Sequence, residues 1–234
     1  MIDAQHPLRS VLASLCTPER GDGRAPVIVI TANDTGVGTS YVSRMLGLLA
    51  AEHYAPYGHR VALIDMDITQ QSHMTFFRQA EAQYGACQGP FDATFGQEPF
   101  WQVSPDGVDD QGRRKSAGLY GGLNLVGSTG LAVTEFQWSD VKAGQAVHIR
   151  GARDYWHALR DNFALVVVDT PAFDRADVAM TVVAEADKTV IVCAPDTAHL
   201  SSQKALSDRI LAAEGRCAGL VINEGPARAQ SQLA

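Results

Sequence analysis

Cysteine is scarce and scattered. Cys16, Cys87, Cys193 and Cys217 show no C-x-x-C spacing, which excludes the common zinc frameworks and makes reduced core thiols the expectation over disulfides. The 7 histidines are equally dispersed and form no H-x-x-x-H pair, so a zinc-protease helix is excluded too. No apolar run approaches the roughly 18 residues that would cross a bilayer. Met1 to Pro26 carries Asp3, Glu19 and Asp22 where a signal peptide would be continuously apolar. The expectation is a soluble, cytoplasmic protein with no direct membrane insertion. Basic residues are also short, 19 Lys and Arg against 26 Asp and Glu for a net charge of −7. That argues against a sequence-independent hold on nucleic acid, which depends on neutralising phosphates.

What is present is an alternation of apolar strands and amphipathic helices over 234 residues, long enough for one sizeable domain. Strands are predicted over 26–31, 60–65, 123–127, 164–169, 188–193 and 216–222. Helices are predicted over 39–53, 69–84, 149–161, 175–186 and 199–213. The pattern implies an α/β fold: a single three-layer domain with a mostly parallel, doubly wound sheet flanked by helices. Its predicted extent is 26–225, preceded by a helix (Leu8 to Leu15) and linker within 1–25 and followed by a flexible tail, 226–234. The Gly-, Pro- and Asp-rich stretch 85–122 reads as a long surface insertion beside the site.

The most telling absence is one lysine. Thr31-Ala32-Asn33-Asp34-Thr35-Gly36-Val37-Gly38-Thr39-Ser40 has the layout of a phosphate-binding loop, G-x-x-x-x-G-K-[ST], with Gly38 and Ser40 in the sixth and eighth places. Thr39 stands where lysine belongs and Asn33 replaces the first glycine. An apolar β-branched run, Val27 to Ile30, ends at the loop, and a helix with Val42, Met45, Leu46 and Leu49 on one face follows it. Strand, glycine turn and helix together make an anion site, because backbone N–H groups and the helix N-terminus point at one place. An ordinary glycine-rich turn would show the same glycines without that flanking order. The residues taken as the cradle are Thr35, Gly36, Val37, Gly38, Thr39, Ser40 and Tyr41. Arg44, Arg150 and Arg153 are the cations weighed for the missing charge, each against a plain surface role.

Two aspartates end later strands in the same way. Val61-Ala62-Leu63-Ile64 runs into Asp65-Met66-Asp67, and Leu165-Val166-Val167-Val168 into Asp169-Thr170-Pro171. In a parallel sheet those ends gather on the edge that carries the loop. Aspartate is also a common turn former at strand ends, but carboxylates converging on a phosphate cradle call for a cation. Mg²⁺ held by Ser40, Asp67 and Asp169 is the economical reading. Asp65, Asp67 and Asp169 are the candidate catalytic residues, with Asp65 as base or water-positioner.

These residues together resemble the bacterial tyrosine kinase and capsular exopolysaccharide family, a branch of the ATPases related to MinD and ParA. The family's loop resembles T-S-x-x-P-G-E-G-K-S. Its second motif, D-A-D-L-R-R-P-S, is similar to Asp65-Met66-Asp67-Ile68-Thr69-Gln70-Gln71-Ser72, and its D-T-P-P to Asp169-Thr170-Pro171-Ala172. Gly219-Leu220-Val221-Ile222-Asn223 resembles its closing G-V-V-L-N, which implies Asn223 at the adenine. The resemblance implies ATP or ADP with Mg²⁺ as cofactors. It also implies a membrane polysaccharide co-polymerase or export component as partner, recruitment to the inner membrane by it, and possible homo-oligomers. The lysine is missing, the basic pair of the second motif is Thr69 and Gln70, and the last tyrosine in the sequence is Tyr155, so the family's C-terminal tyrosine substrate is not expected. The expected role is therefore a degenerate regulatory partner that binds nucleotide weakly. Alternatives are an active ATPase or protein tyrosine kinase of the same pathway, a MinD- or ParA-like positioning ATPase, or a cellulose-secretion accessory protein in which threonine likewise takes the lysine place. Dethiobiotin synthetases, whose loop is similar around Asp34-Thr35, are a distant reading because their V-E-G-A-G-G element is absent.

Overall fold

β-Branched runs covered on both faces form the centre of the molecule. The computed structural model describes residues 7–16, 24–107 and 117–224. Among them the strands are β1 (Val27–Ala32), β2 (Val61–Asp65), β3 (Cys87–Asp92), β4 (Trp101–Ser104), β5 (Gly121–Val126), β6 (Leu131–Phe136), β7 (Ala146–Ile149), β8 (Leu165–Asp169), β9 (Lys188–Cys193) and β10 (Cys217–Ile222). The helices are α1 (Leu8–Leu15), α2 (Thr39–Tyr54), α3 (Ser72–Gln79), α4 (Glu81–Tyr84), α5 (Arg153–Asn162) and α6 (Leu200–Ala212). One sheet has the order β10-β9-β1-β8-β2-β6-β5-β3. Its pairs from β10 to β6 are parallel. β5 and β3 add on antiparallel, and β4 and β7 form a separate antiparallel ribbon.

Alternate residues of β1 face opposite layers. Val27 and Val29 pack towards Trp156 and Leu159 of α5 and Leu206 and Ile210 of α6. Ile28 and Ile30 pack towards Leu46 and Leu49 of α2, with Leu8, Leu12 and Leu15 of α1 in the same cluster. Both faces are covered, so β1, β2, β8 and β9 are buried at every position. That is why their sequences are continuously apolar instead of alternating. Each such Val, Ile or Leu contributes about 1.5–3 kcal/mol by leaving water.

Three expectations are corrected. Of the stretch 85–122, expected as a surface insertion, 108–116 lie outside the described residues, while the described residues 85–107 and 117–122 supply β3, β4 and the start of β5 and bury Phe100, Trp101 and Tyr120. Their strands are short and antiparallel, with β3 largely exposed, so no apolar run announces them. The helix predicted over 175–186 is only a 3₁₀ turn, Val178–Thr181. Two adjacent β-branched residues, Val182 and Val183, are fully buried there, and such pairs crowd the preceding turn of an α-helix. The helix over 69–84 is split into α3 and α4, entered through Gln71 at φ 46°. The linker before Arg24 and the tail from Gly225 lie outside the described residues. All four cysteines are free thiols. Among the described residues no helix is long and apolar enough to cross a membrane.

Candidate functional site

The turn from β1 into α2 is fixed by Gly38, which caps the helix in a left-handed conformation, φ 92°. A side chain there is barred twice over: the backbone favours glycine, and a Cβ would lie 2.0 Å from Asn223 Nδ2. That amide donates to the Val37 carbonyl at 2.9 Å. Asn223, expected at the adenine, is thus bonded to the loop, and Val37 is turned into the core at 5% exposure. The first N–H groups of α2 have no intrahelical acceptor and open on a cleft of about 230 Å³. Thr35, Gly36, Gly38, Thr39, Ser40 and Tyr41 form one side of it. All six are among the expected cradle residues, because the chain is continuous through the loop and its helix start; the opposite side needed the fold.

The opposite side comes from β2, β8 and the loops after them. β2 and β8 pair with Asp65 level with Asp169, so both carboxylates reach the same sheet edge. Asp169 accepts from Ser40 Oγ at 2.6 Å, Ser43 Oγ at 2.9 Å and His73 Nε2 at 3.0 Å. A carboxylate only accepts, so the His73 proton is assigned to Nε2. Asp65 Oδ1 accepts the Asp67 N–H at 3.0 Å, while Asp65 Oδ2 and His73 Nδ1 are buried without a hydrogen-bond partner among the described residues. Burial pushes the Asp65 carboxyl up to about 7, against a lowering by His73 and a further raising by Asp169. Asp65, His73 and Asp169 bring one ligand atom each within 4.8 Å of one another. Two carboxylates, an imidazole and the adjacent Ser40 hydroxyl are a donor set able to take a divalent cation, and the orphaned Asp65 oxygen is the position such an ion would satisfy.

Asp67 stands apart from that group. Its carboxylate is paired with Arg175, through Nη1 to Oδ2 and through Nη2 to Oδ1, the second at 3.1 Å. Thr69 Oγ1 donates to it at 2.8 Å. Arg175 lies in the loop after β8 and lines the cleft, and its bond to Asp67 raises the guanidinium's pKa further. The residue before it, Asp174, accepts from the Thr35 N–H at 2.8 Å and the Thr35 hydroxyl at 2.7 Å, and these bonds hold its carboxyl below the usual range. Asp174 therefore ties the loop to one side of the cleft and Arg175 to the other. None of the cations weighed from sequence lines the cleft: Arg44 covers the Phe76 ring at 4.0 Å, its pKa lowered by burial against a raising by nearby Asp169 and Asp65, Arg150 pairs with Glu98 at 2.6 Å, and Arg153 lies 3.8 Å from Glu185.

His73 and Arg175 are the site residues that sequence reading missed. His73 is a lone histidine without a ligand-spaced partner, and Arg175 sits in a segment read as helix. Their one signal was position: each follows a motif aspartate by a few residues.

No protein-family model matches the chain, and no curated protein does. Solved structures do. The kinase domain of Escherichia coli tyrosine kinase ETK superposes with a TM-score of 0.60 at 16% identity, over 97% of this chain and 78% of that one. The chain shares its fold with bacterial tyrosine kinase domains. The chimerical protein CapA2B2 gives 0.56 at 16% identity, over 94% and 82%. The BceF tyrosine kinase domain gives 0.52 at 16% identity, over 93% and 74%. At these identities the likeness carries the α/β fold with its mostly parallel, helix-flanked sheet, and the chemistry must be argued from the site.

Proposed function

We propose that the cleft binds ATP or ADP with Mg²⁺ weakly and that the chain is a regulatory partner in exopolysaccharide synthesis, acting on a membrane co-polymerase. The observation that supports nucleotide is the joining of a left-handed Gly38, free helix N–H groups and Asp65 and Asp169 at one sheet edge. Mg²⁺ would be held by Ser40 and Asp169, with Asp65 in reach, and would supply charge neutralisation for phosphate oxygens. Asp67 joins that set only if Arg175 releases it. Weakness follows from Thr39, since a charge-assisted lysine contact to phosphate is worth about 1.5–3 kcal/mol and a hydroxyl brings no charge. Turnover suffers more than binding, because phosphoryl transfer is catalysed by positioning and by stabilising charge as it develops.

Calorimetry with MgATP and MgADP tests the reading. Micromolar to sub-millimolar binding that Gly38→Asp abolishes is the expected result, with a gain in turnover for Thr39→Lys. No binding up to millimolar nucleotide would leave the fold as an interaction surface alone. A second reading, residual ATPase or kinase activity, is favoured by Asp65, whose raised pKa suits a base near neutral pH. It requires ATP turnover that Asp169→Asn abolishes. Recovery of the chain with a polysaccharide co-polymerase from solubilised membranes tests the partner.

A further inference from the structure

Resting on the nucleotide reading, we propose that Arg175 is the cation that meets the nucleotide phosphates in place of the lysine missing at Thr39. Arg175 lines the same cleft as Gly38, Thr39 and Ser40, and its side chain is 30% exposed, so it is accessible from the cleft. It enters from the opposite side, on the loop after β8, and not from the helix that carries the lysine in a standard loop. Arginine suits the task, because its planar fork presents several donors to a phosphate and stays charged at any working pH.

The loop is built to hold it there. Phe173 and Asp174 donate their N–H groups to the carbonyls of Ala32 at 2.9 Å and Asn33 at 3.0 Å, which fastens the segment to the end of β1. Asp174 is bonded to Thr35, and Arg209 covers the Phe173 ring at 4.6 Å. With the backbone pinned on both sides of Asp174, the Arg175 side chain is the part free to change partner. Its present acceptors are Asp67 and, at 3.2 Å from Nη2, the Thr69 hydroxyl. Asp67 thus parks the guanidinium at the cleft mouth, and a phosphate with more negative charge competes for it. Releasing Arg175 also frees the Asp67 carboxylate, so one exchange prepares both a phosphate contact and a cation ligand.

Two roles have to be separated: contact with phosphate, and mere neutralisation of Asp67. A double-mutant cycle does so. MgATP affinity is measured by calorimetry on the full chain for the native protein, Arg175→Ala, Arg175→Gln, Asp67→Asn and the Asp67→Asn/Arg175→Ala pair, with thermal melts to establish folding. Arg175→Ala is expected to weaken MgATP by about tenfold or more, Arg175→Gln nearly as much, and the double variant by a similar factor relative to Asp67→Asn. A double variant that binds as well as Asp67→Asn overturns the proposal, since Arg175 would then only neutralise Asp67. Native binding unchanged in both Arg175 variants overturns it as well and leaves the nucleotide reading intact. Absence of MgATP binding by the folded native chain sinks both.

Discussion

The two ends of the sheet are built on different principles. From β10 to β6 the strands are parallel, the inner β9, β1, β8 and β2 are buried at every position and rich in Val and Ile, and their C-terminal edge carries the candidate site. From β6 outward β5 and β3 run antiparallel, and near them the ribbon β4–β7 joins a cluster of aromatic rings. There Phe100 meets Trp101 edge-on at 4.9 Å and stacks, with centroids 5.9 Å apart, on Trp156 of α5, which reaches it from the layer that covers the parallel strands. The lesson is a division of labour: the parallel half positions polar groups with regular strand register, and the aromatic end supplies packing without any part of the cleft.

The sharpest way to break the comparison is Trp156→Ala. The side chain is fully buried, and its loss should cost about 3–5 kcal/mol in denaturant unfolding, while any MgATP affinity of the folded fraction stays unchanged. A parallel loss of affinity would mean that the two ends are not separable. Asp65 gives the next effect, and on the other side. Its folded pKa, about 7, exceeds the ordinary 3.8, so the native state holds an extra proton between them. That stabilisation is complete below about pH 4 and is lost as pH rises to about 7, an effect of a few kcal/mol, roughly, by linkage. Asp65→Asn should remove this dependence and be the more stable chain at neutral pH, as read by melts across that range. Ser43→Ala comes third. Its hydroxyl orients the fully buried Asp169, and the variant should lose about 1–2 kcal/mol of stability. The smallest effect belongs to Arg78→Ala. Its bidentate pair with Glu135 is half-exposed on the arginine side, so about 0–1 kcal/mol is expected, vanishing at high salt.

Legibility in the sequence follows the same division. Runs such as Val27 to Ile30 and Leu165 to Val168 can be buried on two faces only in a covered parallel sheet, so their place and the loop after the first were readable. β3, with Gly89 and Pro90 in it and most of its residues exposed, offers neither periodicity nor an apolar run. β6 and β7 were missed for a related reason, since a short hairpin partner and a ribbon strand are specified by cross-strand neighbours that a linear pattern does not contain. In the site, Ser40, Asp65 and Asp169 were legible because each ends or begins an element at a motif. His73 was not: its role depends on α3 laying an isolated imidazole against Asp169. Nor was Arg175, whose meaning depends on Asp67, 108 residues earlier, standing across the cleft.

By itself the sequence determined the α/β class, the strand–glycine–helix turn at Gly38 and the absence of a lysine at Thr39, because local propensity, β-branched runs and glycine's freedom at positive φ act within a few residues. Only the tertiary structure decided that Asp65 is buried with an oxygen unpartnered among the described residues, that Asn223 bonds to the loop at Val37, and that Arg175 lines the same cleft as Thr39. Those outcomes depend on which strand ends lie side by side and how deeply each charge is taken from water, and both are set by packing between segments far apart in the chain.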